Sequence, residues 1–96
     1  MQFVVIAYDY KDGLKRRLAV RDQHVALGDK MNVAGTFLYG VAMLSDNGIM
    51  KGSIEIFEFP SRNELDKYLE IEPYVVNNVW EKIEVIPCKV GPSFTK

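Results

Sequence analysis

The sequence predicts an α+β domain of the ferredoxin-like kind. This is a β-α-β-β-α-β plait in which two helices cover one face of a four-stranded antiparallel sheet. Three observations carry that expectation. Four β-branched or aromatic runs alternate with two segments of helical spacing in the required order. Asn47-Gly48, the strongest short-range hairpin signal, joins the second and third runs. Ser61 stands three residues before Glu64, a capping box that opens the second helix.

The first strand is "QFVVIAY", Gln2 to Tyr8, followed by the polar, turn-like "DYKDG". A helix is expected from about Leu14 to Asn32, loosened near Gly13 and Gly28. Val20, Leu27 and Met31 form its apolar stripe, and the remaining position of that stripe is His24, the one histidine of the chain. "GTFLYGVAML" (Gly35 to Leu44) reads as the second strand and "SIEIFEF" (Ser53 to Phe59) as the third. Pro60 keeps the next backbone extended, and the helix after Ser61 places Leu65, Tyr68 and Leu69 on one side. Pro73 interrupts it, "YVVNNV" has room for one more turn, and "WEKIEVIPC" (Trp80 to Cys88) is the last strand. Residues 90–96 form a tail without pattern, so residues 1–96 make a single domain.

The first two strands are apolar on both sides. Strand one carries Phe3, Val5 and Ala7 against Val4, Ile6 and Tyr8. Strand two carries Phe37, Tyr39, Val41 and Met43 against Leu38, Ala42 and Leu44. A sheet with one wet face alternates apolar with polar residues, so a cover is expected for the second face. The expected cover is a second copy, in a homodimer with sheets packed face to face as a dimeric α/β barrel-like assembly. The alternative, a monomer with its tail folded back, has only the eight residues "KVGPSFTK" from Lys89 on to work with.

Composition narrows the function. Twelve Lys plus Arg against thirteen Asp plus Glu leave a net charge of −1, so no basic field exists for nucleic acid. The plait is also an RNA-recognition fold, but Ser53 and Glu55 stand where its stacking aromatics would be. One cysteine and one histidine exclude an internal disulfide and a His/Cys zinc site within one chain, and no carboxylate metal motif is present. No dinucleotide or phosphate-cradling glycine motif occurs, so no cofactor is expected. The apolar start is too short and too soon interrupted by charge to span a bilayer, and a cytoplasmic protein is the expectation. Cys88 has no histidine or helix start near it in sequence and is not expected to act as a nucleophile.

Two groups of residues could carry chemistry. Arg17, Arg21 and His24 recur at i, i+4 and i+7 on one side of the first helix. Arginine grips carboxylates and phosphates at two points, and imidazole moves a proton near neutral pH. Glu72, just before Pro73, leaves the regular helix surface with Tyr74 beside it. A carboxylate next to an imidazole holds one tautomer and stabilises the charged ring. Spacing alone leaves open whether Glu72 meets His24 or ends a solvated helix, and whether His24 is a core residue with one satisfied nitrogen.

The stretches "RLAVRDQH", "GSIEIFEF" and "PYVVNNVWEKIEVIPC" resemble the YCII-related (YciI-like) family of small ferredoxin-like proteins over nearly the whole chain. Similar members read Arg-x-x-His in the first helix, Gly-Ser before the third strand, and Asp-Pro-Tyr before the last. The resemblance implies a dimeric plait with a pocket between sheet and helices and a catalytic histidine–aspartate pair. By position these are His24 and Glu72, with Arg21 and Ser53 as ligand contacts. It also implies chemistry like that of a family lyase that eliminates hydrogen chloride from a chlorinated aromatic, on a fold similar to muconolactone isomerases. Two departures stand out: Glu72 replaces the aspartate, and Gly40-Val41 replaces a Gly-Pro that relatives carry after strand two. The expected function is cofactor-independent acid/base chemistry, lyase- or isomerase-type, on a small anionic metabolite, aromatic ones included. His24 would be acid or base, Glu72 its orienter, Arg21 an anion clamp, and Ser53 and Tyr74 ligand contacts. The alternative is a non-catalytic ligand-binding or regulatory dimer, which needs Arg21 and the apolar walls but not the His24–Glu72 pair.

Overall fold

In the computed structural model, which describes residues 1–95, seven elements follow the predicted order with one helical turn added. They are β1 (Gln2–Asp9), α1 (Leu14–Val33), β2 (Phe37–Leu44), β3 (Met50–Glu58), α2 (Arg62–Ile71), α3 (Pro73–Val76) and β4 (Trp80–Cys88). The strands form one sheet in the order β2-β3-β1-β4, each neighbouring pair antiparallel. This is the ferredoxin-like plait. No helix of the described residues is long and apolar enough to cross a membrane.

β1 lies inside the sheet, and its period of two sets what the helices cover. Phe3, Val5 and Ala7 are buried, and their partners across β3 are Phe57, Glu55 and Ser53. Phe3, Val5 and Phe57 join Phe59, Leu65 and Tyr68 in the main core, with Leu27 and Met31 of α1 packed against it. Ala7, Tyr74, Val79 and Trp80 make a second cluster, which Val20 of α1 joins. The same alternation that builds the core thus places two polar residues, Ser53 and Glu55, on the covered face.

α1 runs unbroken through Gly28, where loosening was expected. The glycine is there for space: a Cβ on it would stand 3.0 Å from the Phe37 ring. The helix ends in a Schellman motif, with the Thr36 amide donating to Met31 (2.9 Å), the Gly35 amide to Asn32 (3.0 Å), and Gly35 at φ +83°. That cap delays the second strand to Phe37, two residues after the expected start. Asn47-Gly48 makes the hairpin as expected, with Gly48 also at φ +83°, and β3 begins earlier than expected, at Met50. At α2, Ser61 accepts the Glu64 amide (3.3 Å). The Glu64 carboxylate turns to Lys67 instead of completing the capping box.

The expected side assignment of strand two needs correction. Pairing passes from Phe37↔Phe57 to Tyr39↔Ile56, so Leu38 is an extra residue, a β-bulge. Phe37 therefore turns to the helices, stacking on Phe57 with ring centres 4.8 Å apart, while Tyr39 and Val41 stay on the open side. Because Phe3, Val5 and Ala7 lie beneath the helices, the open face is that of Val4, Ile6 and Tyr8. The tail touches one corner of it: Val90 donates to Gln2 (2.7 Å) and the Tyr39 hydroxyl to the Phe94 carbonyl. Tyr8, Tyr39, Val41 and Ile86 remain exposed.

Candidate functional site

The site grows from a break in a helix. A residue before proline is pushed out of helical geometry, and Glu72 is extended (φ −62°, ψ 124°), ending α2 and capping α3. Its side chain turns inward and is only 1% exposed. One carboxylate oxygen accepts the Tyr74 amide (2.9 Å) and contacts Nδ1 of His24 (2.7 Å); the other accepts the Tyr68 hydroxyl (2.7 Å). The oxygen that faces Nδ1 already accepts the Tyr74 amide, which can only donate, so the imidazole hydrogen fits on Nδ1 and Nε2 is left with its lone pair.

His24 reaches Glu72 from the stripe position on α1. Its ring lies flat on Tyr74, with centres 3.9 Å apart and planes 10° from parallel, and meets Trp80 edge-on at 6.2 Å. The side chain keeps 15% of its surface accessible. It is neither a fully packed core residue nor a solvated one.

On the Nε2 side stands Glu55, with Oε2 at 3.6 Å. Glu55 is 1% exposed, and burial, then the nearby Glu72 carboxylate, push its acid up to about 8. Tyr68 links the two acids, its hydroxyl 2.7 Å from Glu72 and 3.3 Å from Glu55. Burial first, then the neighbouring acids, make that phenol harder to ionise than an ordinary tyrosine.

The arginines separate into two roles. Arg17, 2% exposed, makes a two-point ion pair with Asp9 (2.8 and 3.1 Å) and donates to the Ser53 hydroxyl (2.7 Å). Its guanidinium lies 4.6 Å from the centre of the Tyr74 ring. One turn on, Arg21 is exposed and lines the same cavity as His24.

That cavity, about 300 Å³, lies between α1 and the β2–β3 edge of the sheet. Arg21, His24, Ser53, Glu55 and Tyr74 line it, with Phe37 and Ala42 among its apolar wall. Gly40-Val41 falls inside β2 rather than after it. A Cβ at Gly40 would meet the Phe37 ring at 2.5 Å, so glycine lets that ring close the wall. Cys88 lies opposite Gln2 at the far end of β4 and does not line the cavity; burial raises its thiol, which disfavours the thiolate.

Four of the five sequence-derived candidates, His24, Arg21, Ser53 and Tyr74, line this one volume, and the fifth, Glu72, lies behind the His24 ring against Nδ1 without lining it. Sequence reasoning missed three further participants. Glu55 shares strand parity with Ser53 and Phe57, a legible signal that this glutamate faces inward. Tyr68 counted only as an apolar stripe residue, whereas its hydroxyl ties two acids together. Asp9, in the turn-like "DYKDG", gave no sign that it anchors Arg17. Among the described residues no group of three or more His, Cys, Asp or Glu has the arrangement of a metal site.

Comparison with known proteins adds the following. The model of the YCII-related domain matches residues 1–89. Protein YciI of Escherichia coli O6:H1 and that of Shigella flexneri are each 33% identical over 95 residues, covering 93% of this chain and 97% of theirs. Among solved structures, 5-chloro-2-hydroxyhydroquinone dehydrochlorinase (TftG) from Burkholderia phenoliruptrix AC1100, in complex with 2,5-dihydroxybenzoquinone, superposes with a TM-score of 0.85 at 22% identity. The match covers 99% of this chain and 100% of that one. An antibiotic biosynthesis monooxygenase superposes with a TM-score of 0.54 at 14% identity over 95% of this chain and 98% of its own. At these identities the two structures share the fold.

Proposed function

The chain belongs to the YCII-related domain family, and from that membership and the geometry around His24 we propose a small enzyme doing acid/base chemistry of the lyase or isomerase type. The substrate class is a small anion, with single-ring compounds suited to a cavity of about 300 Å³. The carrying observation is the 2.7 Å contact between Nδ1 of His24 and Glu72. It supports the tautomer that leaves Nε2 as a base, with the glutamate, one methylene longer than the aspartate the resemblance implies, in contact with the ring. Arg21 supplies the anion contact. Ser53 accepts from Arg17 and so has its own hydrogen to donate to a ligand. Tyr74 forms a flat wall.

The test uses 2,5-dihydroxybenzoquinone, the compound bound to the dehydrochlorinase, as a probe, together with product analysis on chlorinated hydroquinones. His24→Ala and Glu72→Gln should each lower turnover roughly 10²–10⁴-fold, the usual contribution of a positioned proton carrier. Glu72→Asp should retain most of it. His24→Ala should leave thermal stability little changed, since pocket residues serve the ligand more than the fold. Marked destabilisation of His24→Ala with unchanged probe binding would end the catalytic reading. Binding without turnover by the unmodified protein would instead favour a ligand-binding protein.

The reading includes a homodimer through the Val4/Ile6/Tyr8 face. This is the apolar sheet face that the helices leave uncovered. Light scattering at micromolar concentration is expected to give twice the 11.0 kDa chain mass, and Ile6→Lys to give the monomer. A compact monomer for the unmodified chain would refute the pairing.

A further inference from the structure

We infer that Glu55 is the second proton carrier of this site, exchanging one proton with Nε2 of His24 while Glu72 holds Nδ1. The inference rests on the acid/base reading above and deepens it.

Glu55 is a buried acid without a dedicated cation. Among the described residues, His24 is the one basic side chain within 4 Å of it, at 3.6 Å. The charged and titratable groups that act on it are Arg17 and His24 from α1, Tyr68 from α2 and Glu72 from the α2–α3 junction. Arg17 is committed to Asp9 and Ser53, and Arg21 lies farther out, exposed on α1. A lone buried carboxylate is costly, whereas the neutral acid is tolerated. Hydrogen counting agrees. Tyr68 has one hydroxyl hydrogen, spent at 2.7 Å on Glu72, so its 3.3 Å contact with Glu55 is satisfied when Glu55 carries a proton and donates. The raised acidity range of Glu55 points the same way.

This places a neutral acid and a neutral base side by side at one cavity wall. When Nε2 takes a proton from a ligand C–H bond, the bonding pair stays on the ligand. It either shifts to another ligand atom, which receives the Glu55 proton, or forms a double bond as a leaving group departs with its own pair and that proton. His24 is then imidazolium beside Glu72, and Glu55 is a carboxylate. Transfer of the Nε2 proton to Glu55 restores the resting site. Isomerisation and elimination both balance on this cycle without a further reactant.

The single histidine makes the test direct. In unliganded, 15N-labelled protein, the His24 ring nitrogens should shift in two steps with pH, one for the ring and one as Glu55 ionises. Between the steps the Nε2 shift should lie between its protonated and unprotonated limits. Glu55→Gln should leave one step and move Nε2 to the unprotonated limit above it. One identical step in both proteins, or two in both, overturns the inference. If Glu55→Gln does not fold, a single step in the unmodified protein overturns it and two steps with the intermediate shift support it. No ligand is used, so failure of the probe to bind or turn over refutes the proposed function separately.

Discussion

Replacing Arg17 with methionine is expected to cost about 3–5 kcal/mol of folding stability, as breaking a buried ion pair from one side does. Both partners are removed from water, with side chains 3% and 4% accessible for Arg17 and Asp9. The guanidinium satisfies both Asp9 oxygens and the Ser53 hydroxyl at once, a geometry that lysine cannot reproduce. Methionine fills much of the volume but leaves Asp9 as a buried acid without a partner. For a domain of this size the loss corresponds to a fall in Tm of roughly 12–40 °C. Removing both charges in Arg17→Met/Asp9→Leu should recover a large part of it, because the penalty lies in the orphaned charge rather than in the lost attraction. Circular-dichroism melting of the three proteins at one concentration decides the matter. A drop below about 1 kcal/mol in the single variant would show that Asp9 finds water or another donor.

The second large effect is a pH dependence. Glu55 moves from an ordinary 4.5 to about 8 on folding, chiefly through burial. The folded protein therefore keeps a proton that the unfolded chain releases. The stability linked to that proton is fully present below about 4.5, declines as pH rises through the interval up to about 8, and is flat above it. The loss over the interval is at most roughly 5 kcal/mol. Glu55→Gln, which has the neutral acid's shape and nothing to ionise, should gain on the unmodified protein steadily from pH 5 to 8 and then hold its advantage. The difference between the two proteins isolates Glu55 from the other carboxylates. Urea unfolding at pH 5, 6.5, 8 and 9 measures it, and a difference that does not change with pH would refute the assignment. Protein concentration must be held constant, since a dimer links assembly to stability.

These two expectations differ in how far the sequence foretold them. Strand and helix order was legible because each run had one period and clear punctuation: Asn47-Gly48, Ser61 and Pro73. The His24–Glu72 meeting was legible in part, since a histidine in an apolar stripe and a glutamate before proline both break the local pattern. Arg17 was visible only as the first member of a cationic trio. Its partner Asp9 lies eight residues away at the end of another element, and only the packing of α1 over β1 brings them together. Glu55 could have been found from strand parity. What its surroundings do to its proton could not, because that depends on Tyr68 and Glu72 arriving from a helix and a junction distant in sequence. The bulge at Leu38 was invisible, since a regular alternation and an interrupted one read alike when every residue is apolar.

That bulge has a consequence for how related pockets can diverge. Phe37 pairs with Phe57 and Tyr39 with Ile56, so losing Leu38 would make the ladder regular and leave Phe37 on the covered side, opposite Phe57. The ring that packs against Gly28, Gly40 and Phe57 would keep its place in the wall. The proton-handling residues on α1, β3 and the α2–α3 junction would be untouched. Length variation at the bulge is then neutral for the wall, and truncating the side chain at position 37 itself is the direct route by which this architecture can admit a larger ligand without substitution around the histidine.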